Sequence, residues 1–161
     1  MRCVICGKEA AVHECATQVG NDGFELALPC HQRCSSNEIE SINAFFVLVI
    51  HLVCAVFPSK DVEDGQEASV RCVICSKEVS LENNEVISLI EADEGYGLSM
   101  PCHFYCGQTE TKRLRALFRS MICLVRSFFF SSELCSGLKW GCTWVAKVGP
   151  DGELNELPGE G

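Results

Sequence analysis

Apolar positions along the chain form two kinds of run, and each kind occurs twice. In "GFELALP" (residues 23–29) and "GYGLSMP" (95–101), apolar and other residues alternate, which predicts two half-buried strands. Gly23 and Gly95 stand where a hairpin turn would precede each strand, and Pro29 and Pro101 would end it and suit the start of a helix. Further on, Ile42, Phe45 and Phe46 repeat at i, i+3, i+4, as do Leu114, Leu117 and Phe118. That spacing predicts a helix with one apolar face in each place. A third run, "AFFVLVIHLVCAVF" (44–57), is apolar apart from His51. Its 14 residues would span only ~21 Å as helix, against ~30 Å of bilayer hydrocarbon. The expectations, in order, are a buried continuation of the helix, a buried strand and a short membrane anchor, with His51 a tolerated core residue.

The doubling extends beyond hydropathy. "RCVICGKE" (2–9) returns as "RCVICSKE" (71–78), and "PCHQRC" (29–34) as "PCHFYC" (101–106). The front halves align at an offset of 69 and the back halves at 72, so the second copy carries three extra residues between about 80 and 92, as a loop tolerates. Five metal-capable positions are shared: Cys3/Cys72, Cys6/Cys75, Cys30/Cys102, His31/His103 and Cys34/Cys106. His13 and Cys15 have no counterpart in the second copy and are expected to lie outside any common site.

Composition narrows the chemistry. Hydrophobic residues make up 47% of 161, enough for packed cores. The net charge of −9 disfavours general affinity for phosphate backbones, so contact with nucleic acid would need a local basic patch. The 13 cysteines fit either a secreted disulfide scaffold or intracellular thiolate sites. The chain begins Met-Arg-Cys, leaving no room for a secretory leader before the first cysteine pair, and the cysteine count is odd. The expectation is therefore a reducing compartment, nucleus or cytoplasm, with the thiols free or bound to metal.

A Cys-x-x-Cys turn aims two sulfurs at one point, and a second pair from elsewhere completes a tetrahedron. The order cysteine knuckle, hairpin, helix-borne pair resembles the treble-clef group of zinc fingers, which includes LIM-, PHD- and HNH-type modules. The resemblance covers about residues 2–46 and 71–118. It implies two Zn2+ ions, one held by Cys3, Cys6, His31 and Cys34, the other by Cys72, Cys75, His103 and Cys106. A LIM domain would continue with a second ligand set where "SSNEIE" (35–40) stands, and an HNH nuclease would need a catalytic histidine near the hairpin that neither copy shares. Cys30 and Cys102 offer an alternative register as ligands in place of His31 and His103; helical ligand pairs three apart favour the histidines.

The fold expected is thus small α+β and metal-stabilised, with two tandem treble-clef-like modules. Module 1 would cover residues 1–43, an apolar segment and acidic linker 44–70, module 2 residues 71–120, and an apolar, aromatic segment with a poorly structured acidic tail 121–161. A module of this size rarely buries enough surface to fold alone. The function expected is a non-catalytic, zinc-binding adaptor with a protein partner. Two alternatives stand beside it. Lys112, Arg113, Arg115 and Arg119 lie in a stretch without acids, which would suit nucleic acid, although a solvated helix face reads the same way. A RING-like ubiquitin ligase would need cross-braced sites, with the first and third ligand pairs sharing an ion. Contact with a membrane through residues 42–57 is a further possibility.

Overall fold

The computed structural model describes residues 1–58 and 69–129. The acidic linker, apart from its last residues, and the tail beyond residue 129 lie outside them. The alternating runs form strands: β1 (Cys15–Val19) and β2 (Glu25–Pro29) make one hairpin, β3 (Val86–Glu91) and β4 (Tyr96–Pro101) the other. Alternation decides the faces. Phe24, Leu26 and Leu28 are buried on one side, matched by Tyr96, Leu98 and Met100, while Ser88 and Ser99 hydrogen-bond through their hydroxyls at 2.8 Å on the other.

The two hairpins do not stand apart. They share one antiparallel sheet in the order β1-β2-β4-β3. At the joint Leu26 faces Leu98, Glu25 faces Ser99 and Ala27 faces Gly97. Leu26 and Leu98 are equivalent positions in the repeat, so the halves meet about a pseudo-twofold axis. The same reciprocity appears at the hairpin turns. A side chain at Gly23 would run into Leu81 and Pro101 of the second half, and one at Gly95 into Met1 and Pro29 of the first. Both glycines also hold positive φ, +83° and +79°, and it is this turn geometry that favours a residue without Cβ.

The three extra residues of the second copy divide between two places. Cys15 faces Pro29 and Val86 faces Pro101, which sets these strands at an offset of 71. Two residues have therefore entered a 3-10 turn at Leu81–Asn83 before β3, and one has entered the hairpin tip.

After each hairpin comes a broken helix: α1 (Gln32–Asn37) then α2 (Ile39–Val56), and α3 (Phe104–Thr109) then α4 (Thr111–Phe129). Glu38 and Glu110 interrupt them at φ −116° and −110°. α2 is unbroken through residue 43, so the boundary expected between 43 and 44 falls inside a helix; the one expected between 120 and 121 likewise falls inside α4. No glycine or proline lies between Ile39 and Phe57, and nothing there ends the helix. Of the three expectations for residues 44–57, the continued helix is what forms. α2 is long and apolar enough to cross a membrane by length and composition, but its inner stripe of Ile42, Phe45, Val49 and Val53 is buried in the core.

α2 and α4 lie antiparallel on one face of the sheet. Arg113 at the start of α4 donates to the Val56 carbonyl at the end of α2 (2.7 Å) and lies over the Phe57 ring at 4.8 Å. At the other end Phe128 and Phe129 pack on Phe45, with ring centroids 5.3 and 5.6 Å apart. Leu114, Leu117, Phe118, Met121 and Val125 of α4 join α2 and all four strands around one apolar core drawn from both halves. His51, expected in the core, is exposed: it sits on the side of α2 opposite Val49 and Val53.

Two candidate metal centres

Each knuckle is a tight loop pinned by backbone hydrogen bonds. The amide of Cys3 donates to the Lys8 carbonyl (2.9 Å) and that of Gly7 to the Cys3 carbonyl (2.9 Å); Cys72 and Ser76 repeat the pattern at 2.8 and 2.9 Å. Both knuckles dock on the strand that leads to the second ligand pair, the Val4 amide donating to the Pro29 carbonyl (2.9 Å) and the Val73 amide to the Pro101 carbonyl (3.0 Å). The chain then turns at Cys30 or Cys102 and enters the short helix. His31 and His103 are helix N-caps with extended backbone, one residue short of the helical placement expected for them, while Cys34 and Cys106 lie in the first turn.

This brings together Cys3, Cys6, His31 and Cys34 in one group and Cys72, Cys75, His103 and Cys106 in the other, with the potential ligand atoms of each group all within 4.8 Å of one another. Tetrahedral zinc with Zn–S of about 2.3 Å and Zn–N of about 2.0–2.1 Å requires ligand atoms roughly 3.6–3.8 Å apart. Here His31 Nδ1 lies 3.4 Å from Cys6 Sγ and 3.8 Å from Cys34 Sγ. His103 Nδ1 lies 3.3 Å from Cys75 Sγ and 3.9 Å from Cys106 Sγ. Three thiols and one imidazole at these separations fit a divalent ion of the zinc type.

The histidine tautomer is set from outside the group. Nε2 of His31 is 2.9 Å from the Glu9 carbonyl and Nε2 of His103 is 3.0 Å from the Glu78 carbonyl. A carbonyl only accepts, so Nε2 carries the proton that it donates and Nδ1 is left to face the thiols. Orientation of a ligand histidine through its other nitrogen is a regular feature of metal sites. Sequence reading did not identify this contact. Its trace is the fixed distance from Cys6 to Glu9 and from Cys75 to Glu78; because a backbone atom accepts, no residue type announces it.

Charge in each group is uneven. Burial pushes the Cys3 thiol up, but the backbone amides of Cys6, His31 and Ile5 and the Cys6 thiol outweigh it and bring it down to about 6. Cys72 falls to about 6 by the same balance, with Cys75, His103 and Ile74 as donors. Burial, together with the neighbouring thiols Cys6 and Cys3, pushes Cys34 up to about 11; Cys106 is pushed up to about 12 in the same way, by burial and by Cys75 and Cys72. The Glu9 carbonyl, then Cys3 and Cys6, raise His31 to about 9.

Cys30 and Cys102 stand beside these groups rather than in them. Each is buried and donates toward the carbonyl of the next residue, at 3.5 Å from His31 O and 3.3 Å from His103 O. Their sulfurs lie 3.7 and 3.8 Å from Cys3 Sγ and Cys72 Sγ. Burial and the nearby Cys3 or Cys72 push both thiols well above the usual range. The clusters whose ligand atoms all lie within 4.8 Å contain His31 and His103 and not Cys30 and Cys102. Nor are the groups interleaved: each takes both of its pairs from one half, which overturns the cross-braced arrangement. His13 and Cys15 belong to neither group. No protein-family model, curated protein or solved structure matches this chain.

Proposed function

We propose that this chain is a zinc-binding, non-catalytic adaptor built from two treble-clef-like fingers, holding one Zn2+ through Cys3, Cys6, His31 and Cys34 and another through Cys72, Cys75, His103 and Cys106. The observation that carries this reading is the twofold occurrence of the same four-donor geometry, with a histidine oriented by a backbone carbonyl each time. Chance packing of cysteines would not repeat a tautomer. Three thiolates and an imidazole fill a tetrahedral shell, leaving no position for an activated water, so the donor set suits a structural rather than a catalytic ion. In such a protein the ion fixes the shape and the surface does the work, by engaging a partner inside the cell.

Native mass spectrometry of the full chain tests the reading. Two zinc ions per chain are expected, falling to one in Cys3→Ser and to one in Cys72→Ser. A wild-type chain purified without chelators that carries no metal would refute it.

A further inference from the structure

On the outer surface of the helix layer, exposed apolar side chains of one helix lie beside a row of exposed cations on the next. Along α2, Val47 and Leu48 are 49% and 40% exposed, and no charged side chain occurs from Ser41 to Pro58. Along its antiparallel neighbour α4, Lys112, Arg115 and Arg119 are exposed and recur at i, i+3, i+7, which places them on one side of the helix. Among the described residues, the ion pairs of α4 are those of Arg113 with Glu110 and Arg126 with Glu94; Lys112, Arg115 and Arg119 have none. Phe128, 44% exposed, stands where the end of α4 meets the start of α2. α4 contains five basic and no acidic residues in a chain of net charge −9.

We propose that this two-helix face docks on an anionic lipid surface, with Val47, Leu48 and Phe128 entering the headgroup–acyl boundary and Lys112, Arg115 and Arg119 meeting the lipid charges. Apolar residues flanked by cations on a surface-lying face are what such binding needs. The helices would lie along the membrane rather than cross it, because the inner stripe of α2 is already committed to the sheet. Other occupants account for less. A nucleic acid would use the basic row and leave Val47 and Leu48 facing water. A second copy seated on α2 would set two basic rows near one another, and like charges would oppose the contact. The proposal gives the adaptor reading its partner surface, and rests on it only through the fold that the ions would hold.

Co-sedimentation of the full chain with vesicles tests it, using phosphatidylcholine alone and phosphatidylcholine mixed with phosphatidylserine, with metal content measured on the same samples. Binding is expected to the mixed vesicles, weakening as salt is raised. Lys112→Gln/Arg115→Gln/Arg119→Gln should weaken it roughly a hundredfold, at about fivefold per lost cation, and Val47→Gln/Leu48→Gln about tenfold. All five positions are exposed, and an unchanged metal count and melting temperature would show that the variants remain folded. A chain carrying two zinc ions that ignores mixed vesicles overturns the proposal, as does binding that either folded variant retains in full. Binding to single-stranded RNA or duplex DNA, without vesicle binding and indifferent to Val47→Gln/Leu48→Gln, also overturns it and assigns the face to nucleic acid. Metal-free protein that still binds mixed vesicles upholds this proposal while removing the zinc reading.

Discussion

The two halves of the molecule share a backbone plan and differ in what they present outward. Their knuckles and ligand pairs repeat the same hydrogen bonds, 2.9 against 3.0 Å from knuckle to strand and again from histidine to carbonyl, and the three added residues of the second half fall in and just before its hairpin. Their long helices diverge: α2 exposes Val47 and Leu48 where α4 exposes Lys112, Arg115 and Arg119. The constraint follows the frame of the two candidate metal centres, and the freedom lies on the side of each helix that faces away from the sheet. A second difference is smaller and lies inside the frame. The residue after the second knuckle cysteine is Gly7 in one half and Ser76 in the other, and both hold positive φ, 68° and 62°. Serine there carries a steric cost that glycine does not.

The largest test of this comparison removes what the halves have in common. A strong chelator should unfold both together, since structural zinc contributes roughly 10–16 kcal/mol in small modules. Loss of far-UV circular dichroism and of the thermal transition is expected; an unchanged melt would show that the ions are not what holds the frame. Next comes the joint between the halves. Leu26 and Leu98 are 0% and 1% exposed and face each other, so Leu26→Ala or Leu98→Ala should each cost about 2–5 kcal/mol. Because the core is shared, either substitution should lower a single transition rather than split one half from the other, as denaturant melts followed at both ends would show.

Proton release compares the two centres directly. At pH 7 the first ion must displace a proton from Cys34, which holds it up to about 11, and from His31, which holds it up to about 9. The second must displace one from Cys106, at about 12. Protons compete with the metal, so affinity should rise with pH across this range and fall further below about 6, where Cys3 and Cys72 also protonate. Calorimetry in buffers of different ionisation heat should count at least two protons for the first ion, and fewer would break the charge assignment. The smallest effect concerns the knuckles. Ser76→Gly should stabilise the chain by about 0.5–1 kcal/mol and Gly7→Ser should destabilise it by a similar amount, read as opposite shifts in a urea midpoint.

The parts legible in the sequence were those written twice or written periodically. Alternation around Leu26 and Leu98 marked the central strands, the i, i+3, i+4 stripes marked the long helices, and the repeat itself separated the eight clustered residues from His13 and Cys15. The sheet joint was not legible, because nothing in an alternating strand says which edge meets which. The 43/44 and 120/121 positions lie within α2 and α4; a change from polar to apolar composition resembles a segment end even where the backbone continues. The exposure of His51 was missed for a related reason: a wholly apolar run hides its own period, and position 51 shares a side of α2 with Val47 and Leu48. Arg113 was grouped with its basic neighbours, yet its guanidinium turns toward α2 to meet Val56 and Phe57, a role that only the helix pairing reveals.

Glu25 opposite Ser99 and Ala27 opposite Gly97, about a centre at Leu26 and Leu98, is the matching that two identical subunits make when they associate. A polypeptide of only one half would offer that same edge to its own twin, and its assembly would depend on concentration. Joining the halves in one chain replaces that dependence with a local concentration of about millimolar for a short flexible tether. It also gives each half its own genetic copy. A homodimer must alter both of its helices at once, whereas here one could become oily and the other cationic, giving a symmetric frame two different outward faces.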